Sequence, residues 1–169
     1  GVSGRAACRL LRRRGAHVTA VDCADTEELR RESGPLHASG VNVVLGVVTV
    51  PAELFDLAVI SPGVPNESIL VRELVRRNVP VIGELELGFQ QALCLNIAVS
   101  GTNGKTTTTE LIERLLTRCH RQTIAAGNIG RPLCDVVDLT KDLDFLTLEV
   151  SSFQLETIEF FRPAVAVLL

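Results

Sequence analysis

The stretch with the most chemistry in it is Ile97-Ala98-Val99-Ser100-Gly101-Thr102-Asn103-Gly104-Lys105-Thr106-Thr107. It reads as an apolar strand, then a glycine loop, then a helix that starts at Lys-Thr. In such a turn, successive backbone N–H groups and the helix N-terminus face inward and hold phosphate oxygens. Gly101 and Gly104 allow the conformations and the close approach that a side chain would block. The Lys105 ammonium can reach the β- and γ-phosphates of a nucleoside triphosphate, and the Thr106 hydroxyl can ligate Mg²⁺. The loop is a short G-x-x-G-K-T form. Val99 stands where the longer G-x-x-x-x-G-K-[ST] pattern has its first glycine. Triphosphate binding by Gly101, Thr102, Asn103, Gly104, Lys105, Thr106 and Thr107 is the favoured reading, with an ordinary glycine-rich turn as its competitor.

A second candidate is Glu149, near the end of Phe145-Leu146-Thr147-Leu148-Glu149-Val150. In a parallel sheet the C-terminal ends of strands line the ligand crevice, and the glycine loop occupies such an end too. A carboxylate there can hold Mg²⁺ against the phosphates. A strand-end Glu turned to solvent is the bland alternative. Gly127-Asn128-Ile129-Gly130 follows another expected strand, and its asparagine amide can both donate and accept. Alone, this is most often a turn. Ser151-Ser152-Phe153-Gln154 forms a polar cluster at the mouth of the same sheet.

The start of the chain carries a weaker set. Gly1-Val2-Ser3-Gly4 looks like the tail of a glycine loop entering a helix. Asp22 ends the next strand about twenty residues on, where a carboxylate commonly meets a ribose or base edge. Ser61-Pro62-Gly63 ends a later strand and offers a hydroxyl and a bare backbone. In a doubly wound sheet these positions converge on one crevice for a nucleotide-type ligand; ordinary βα turns are the alternative. Arg12-Arg13-Arg14 reads as the solvated end of a helix.

The elements that must position these residues follow from periodicity and punctuation. Helices are expected at 3–14 (stopped by Gly15), 26–31, 68–77, 84–93 and 105–119. Strands are expected at 17–21, 43–48, 57–60, 79–82, 95–99, 122–126, 144–150 and 164–169. The strands are apolar runs alternating with helices, which is the pattern of a parallel sheet covered on both faces. The fold class is therefore α/β: a Rossmann-like parallel-sheet domain at 1–92, then the first part of a P-loop-type α/β domain at 93–169. The boundary falls near 91–95, with no low-complexity linker.

Composition excludes several classes. The 169 residues are 46% hydrophobic and 22% charged, with 17 basic and 20 acidic side chains and a net charge of -3. A polycationic nucleic-acid binder does not look like this. Aromatics are 4%, with no Trp or Tyr, which argues against a stacking platform for single strands. The apolar runs are too short to span a bilayer, so neither nucleic acid nor membrane is expected as a partner. Five cysteines without a C-x-x-C spacing argue against a disulfide framework or a zinc knuckle, and suggest a reducing cytoplasm. The histidines His17, His37 and His120 are scattered, with no metal-ligand spacing. A chain with no Met, starting Gly-Val-Ser-Gly and stopping in an apolar run, is expected to be a piece of something longer.

Taken together, Ser61-Pro62-Gly63-Val64-Pro65, Gly83-Glu84-Leu85-Glu86-Leu87, Ser100 to Thr107, Gly127-Asn128-Ile129-Gly130 and Leu148-Glu149-Val150-Ser151-Ser152-Phe153-Gln154-Leu155-Glu156 occur in order. This series resembles the Mur ligases of bacterial cell-wall synthesis. The glycine loop alone is shared across the Mur ligases and folylpolyglutamate synthetase. The Glu149 to Glu156 string, joined to the Gly127 and Ser61 motifs, is similar to the D-glutamate-adding branch. The resemblance implies an N-terminal domain that binds UDP, a central domain that binds ATP, and a C-terminal domain that binds the incoming amino acid. It implies that ATP activates the carboxylate of UDP-N-acetylmuramoyl-L-alanine as an acyl phosphate, which the amine of D-glutamate then attacks. Lys105 and Glu149 would be the catalytic pair, and Thr106 and Glu149 the Mg²⁺ ligands. Ser3, Asp22, Ser61, Pro62, Gly63 and Val64 would contact the UDP-sugar, while Asn128, Ser151 and Ser152 would orient substrate and metal shell. The family also carries a metal-binding His and a carbamoylated Lys that would lie beyond residue 169, so the chain alone is expected not to ligate.

Rival readings are a Mur ligase adding L-alanine, diaminopimelate or lysine, and a non-catalytic nucleotide-binding module. A GTPase switch would need a D-x-x-G turn and an [NT]-K-x-D base reader. Thr140-Lys141-Asp142-Leu143 ends in Leu instead.

Overall fold

A computed structural model describes all 169 residues. The chain divides into two compact units, Gly1–Ile82 and Gly83–Leu169. The sequence placed the boundary about ten residues later, at the end of helix 84–93. That helix instead packs on elements of the second unit.

In the first unit the order is α1 (Val2–Arg13), β1 (Thr19–Asp22), α2 (Glu27–Ala38), β2 (Asn42–Leu45), β3 (Ala58–Ile60), α3 (Ile69–Arg76) and β4 (Val81–Gly83), whose last residue opens the second unit. β1 and β2 pair in parallel, Thr19 opposite Asn42 and Asp22 opposite Leu45. β3 pairs with β4 as a separate ladder, so hydrogen bonding joins the strands two by two rather than in one sheet. Helix α2 runs seven residues past its expected end at Arg31, straight through Gly34-Pro35. Its start is legible: the Thr26 hydroxyl accepts the Leu29 N–H at 3.2 Å. Its continuation comes from tertiary burial of Ser33 and Leu36, which outweighs the proline's lost hydrogen bond. β2 stops at Leu45 because Gly46 turns to φ +73°. Ser68 caps α3 through the Val71 N–H at 3.4 Å. That helix buries Val71 and Leu74, and Val50, Leu74 and Val79 form a small core.

The second unit carries α4 (Glu84–Gln91), β5 (Leu95–Ser100), α5 (Lys105–Arg118), β6 (Thr123–Gly127), α6 (Leu133–Val136), a 3-10 turn (Val137–Asp142), β7 (Phe145–Glu149), α7 (Ser152–Leu155) and β8 (Val165–Leu168). Its sheet runs β6-β7-β5-β8, and β7 and β5 are its inner strands. Every pairing is parallel. The inner strands are apolar because both their faces are covered: Val99, Leu146 and Leu148 are fully buried. Leu85, Leu133, Val136 and Phe161 close one side, with Phe161 edge-on to Phe89 at 5.0 Å. No helix is long and apolar enough to cross a membrane.

Candidate functional site

Register brings three strand ends together. Glu149, the last residue of β7, lies opposite Val99 on β5 and Gly127 on β6. The chain leaves β5 through the glycine loop, leaves β6 through 127–130 and leaves β7 through Ser151. The sequence motifs therefore surround one carboxylate. Glu149 is 2% exposed.

The loop has the backbone that the glycines were expected to allow. Gly101 sits at φ +138° and Gly104 at φ +82°, and Gly104 caps α5 from the left-handed region. A Cβ at Gly101 would run into the backbone of Leu169. Lys105 begins the helix, and its ammonium folds back to donate to the Gly101 carbonyl at 2.8 Å and the Thr102 carbonyl at 3.4 Å. Thr102, Asn103, Gly104, Thr106 and Thr107 are exposed around it.

The Thr106 hydroxyl donates to Glu149 Oε2 at 2.6 Å. The Asn128 amide donates to Glu149 Oε1 at 2.8 Å, and the Asn128 backbone N–H to the Glu149 carbonyl at 2.8 Å. A hydroxyl and a carboxylate thus form a pair of hard-oxygen donors at the helix start, with the Asn128 amide nitrogen held on the carboxylate's other oxygen. Such oxygen donors suit Mg²⁺, which takes few protein ligands and fills the rest of its shell with phosphate and water. Gly127, at φ +102°, is what lets β6 approach so closely, because a Cβ there would collide with the Glu149 carbonyl. Ser151 opens α7 with a reciprocal cap: its hydroxyl accepts the Gln154 N–H at 3.2 Å and its own N–H donates to Gln154 Oε1 at 2.9 Å. Ser152 is exposed beside it.

In the first unit the members of the weaker set have the following places. Ser3 lies in the first turn of α1. A Cβ on its neighbour Gly4 would meet the Ser61 hydroxyl at 3.0 Å. Asp22 Oδ2 lies 3.8 Å from the Gly1 amino group, and its Oδ1 accepts the Ala24 N–H at 3.0 Å. Ser61, Pro62, Gly63 and Val64 form a turn closed by the Val64 N–H on the Ser61 carbonyl at 2.9 Å. The run Arg12 to Arg14 does end a helix, but Arg12 is not idle: it donates to the Ser39 carbonyl at 3.1 Å and to the Ala16 carbonyl at 2.6 Å. All five cysteines are free thiols.

Sequence reasoning placed Glu84 and Glu86 in a helix and in the Gly83 to Leu87 motif of the resemblance, but did not see that both carboxylates are buried. Burial pushes the Glu84 carboxyl up, more than its hydrogen bonds with Cys134 pull it down, and the nearby Asp135 adds to the rise. Burial acts upward on Glu86 too. There the amide of Gln90 and three backbone N–H groups together overcome it and leave that carboxyl below its ordinary range.

Known proteins resemble this chain in sequence and in fold. Residues 99–169 fit the model of the Mur ligase middle domain. The chain is 42% identical to a UDP-N-acetylmuramoylalanine–D-glutamate ligase of Acidobacterium capsulatum, over the whole chain and 37% of that protein. It is 44% identical to the ligase of the same name from Pelotomaculum thermopropionicum, again over the whole chain and 37% of the relative. The chain thus spans just over a third of the length of these relatives. Among solved structures, the UDP-N-acetylmuramate:L-alanyl-gamma-D-glutamyl-meso-diaminopimelate ligase from Neisseria meningitides shares its fold, with a TM-score of 0.57 at 18% identity over 98% of this chain and 56% of that one. The glycine loop, the Glu149 cluster and these relatives agree in likening the chain to the Mur ligases, with residues 99–169 matching their middle domain.

Proposed function

We propose that this chain is part of an ATP- and Mg²⁺-dependent ligase that joins D-glutamate to UDP-N-acetylmuramoyl-L-alanine in the cytoplasmic synthesis of peptidoglycan precursors. Its coverage of little more than a third of its relatives supports its being a portion of a longer enzyme. The single observation that carries the reading is the 2.6 Å contact between Thr106 and Glu149 at the start of α5. It joins the phosphate loop to a buried acid from a neighbouring strand.

The reaction balances in two steps. A carboxylate oxygen of the substrate attacks the γ-phosphorus of ATP, and ADP leaves. The amine of D-glutamate then attacks the acyl carbon, inorganic phosphate leaves and the amine gives up a proton. Positioning and charge neutralisation do most of the work in such chemistry, and no protein nucleophile is needed. In this reading the N–H groups of 101–107 cradle the phosphates. Lys105 exchanges its two loop carbonyls for phosphate oxygens. Thr106 and Glu149 would hold Mg²⁺, which supplies positive charge against the phosphates. Asn128, Ser151 and Ser152 orient the acceptor carboxylate, while Ser3, Asp22 and Ser61 to Val64 take the UDP end.

The test is calorimetric titration of the chain with ATP and Mg²⁺. Lys105→Ala is expected to weaken binding by about tenfold or more, the worth of a charge-assisted hydrogen bond. Undetectable binding, or binding indifferent to Lys105→Ala, overturns the reading of the loop. D-glutamate-dependent ADP release by the full-length gene product tests the substrate assignment.

A further inference from the structure

Two acids in the first turn of α4 take no part in the phosphate loop, yet both are buried: Glu84 is 1% exposed and Glu86 0%. Burying a carboxylate is unfavourable unless hydrogen bonds replace its water. What each one grips is therefore informative. Glu86 Oε2 accepts the N–H groups of Glu159 and Phe161, and its Oε1 accepts that of Phe160, all at 3.0 Å. The Gln90 amide adds a fourth donor at 2.8 Å. Glu84 Oε1 accepts the Cys134 N–H at 2.7 Å, while its Oε2 is buried without a hydrogen-bond partner.

Both gripped segments lie just downstream of loops that surround Glu149. Residues 159–161 follow α7, and a chain of bonds leads back to its start. The Gly83 N–H donates to the Thr157 carbonyl at 3.2 Å and the Thr157 hydroxyl to the Gln154 carbonyl at 3.5 Å. Gln154 closes the cap with Ser151. Cys134 lies in α6, which follows the 127–131 loop, itself closed by the Gly127 N–H on the Arg131 carbonyl at 2.9 Å.

We propose that Glu86 is a positioning residue: by holding the backbone of 159–161 it fixes Ser151 and Ser152 at the mouth of the sheet, while Glu84 does the same for the Asn128 loop from one turn of the same helix. The functional weight of this bracket rests on the proposed ligase site; its mechanics do not. The two acids differ in what they need. Four donors converge on both oxygens of Glu86, so an amide there points its own NH₂ at a backbone N–H. Glu84 uses one oxygen, and a glutamine keeps it.

Amide hydrogen exchange on the unliganded chain tests the idea, comparing Glu86→Gln, Glu86→Ala, Glu84→Gln and Ile97→Val, the last a core truncation remote from the bracket. In Glu86→Gln, exchange at 151–155 is expected to quicken by about tenfold, with α5 held within about threefold. Glu84→Gln should leave both segments within about threefold, and Ile97→Val should not single out 151–155. Quickening confined to 157–161, spread evenly over the chain, or absent overturns the proposal. Should Glu86→Ala fail to fold, Glu86→Gln decides. A parallel arm adds ATP and Mg²⁺ to the unsubstituted chain. Failure to protect 101–107 counts against the ligase reading and leaves the bracket comparison standing.

Discussion

Glu149 is the residue on which the proposed chemistry of the second unit depends. It is buried, ends an inner strand and accepts from both Thr106 and Asn128. Glu149→Gln keeps the shape and removes the charge. Under the proposed reaction it should lower ligation by the full-length protein about a hundredfold, as loss of charge stabilisation at a transferring group does, with the urea midpoint nearly unchanged. Normal turnover would remove Glu149 from the mechanism. The acids of α4 make a second prediction, because their shifts oppose each other. Glu86 is held below the ordinary carboxylate range, so its stabilisation is present above about pH 4.3 and is lost as pH falls through the lowered value. Glu84 is pushed up, so its contribution is full below about pH 4.3 and is lost as pH rises through the raised value. Urea midpoints measured across pH should show Glu86→Gln flattening the acid limb and Glu84→Gln flattening the opposite one. The same limb changing in both variants would contradict the assignment.

At the scale of elements, how strands end matters more than where they run. β6 ends in Gly127, whose left-handed backbone lies against the Glu149 carbonyl. Gly127→Ala should cost about 2 kcal/mol or more, from strain and collision together, and should separate Asn128 from Glu149. A chemical denaturation curve matching the parent would show that this close approach is dispensable. Much at this level was legible in the sequence. The loop announced itself through a strand, two glycines and Lys-Thr at a helix start, and Thr26 and Ser68 marked helix starts by their type. Two things were hidden. Helix α2 passes through Pro35 because Ser33 and Leu36 are buried, and no local pattern reports burial. The burial of Glu86 was hidden because its partners arrive 73 to 75 residues later.

At the scale of the molecule, the chain is two units with their own cores, and the sheet of the second ends in β8. The division at Gly83 also places α4 with the sheet whose loops it grips, rather than with the strands that precede it.

One last feature is the ammonium of Lys105, resting on two carbonyls of its own loop. Under the proposed function, an incoming triphosphate would trade one set of oxygens around that cation for another. Its capture would then be steered by long-range attraction and weakened by salt.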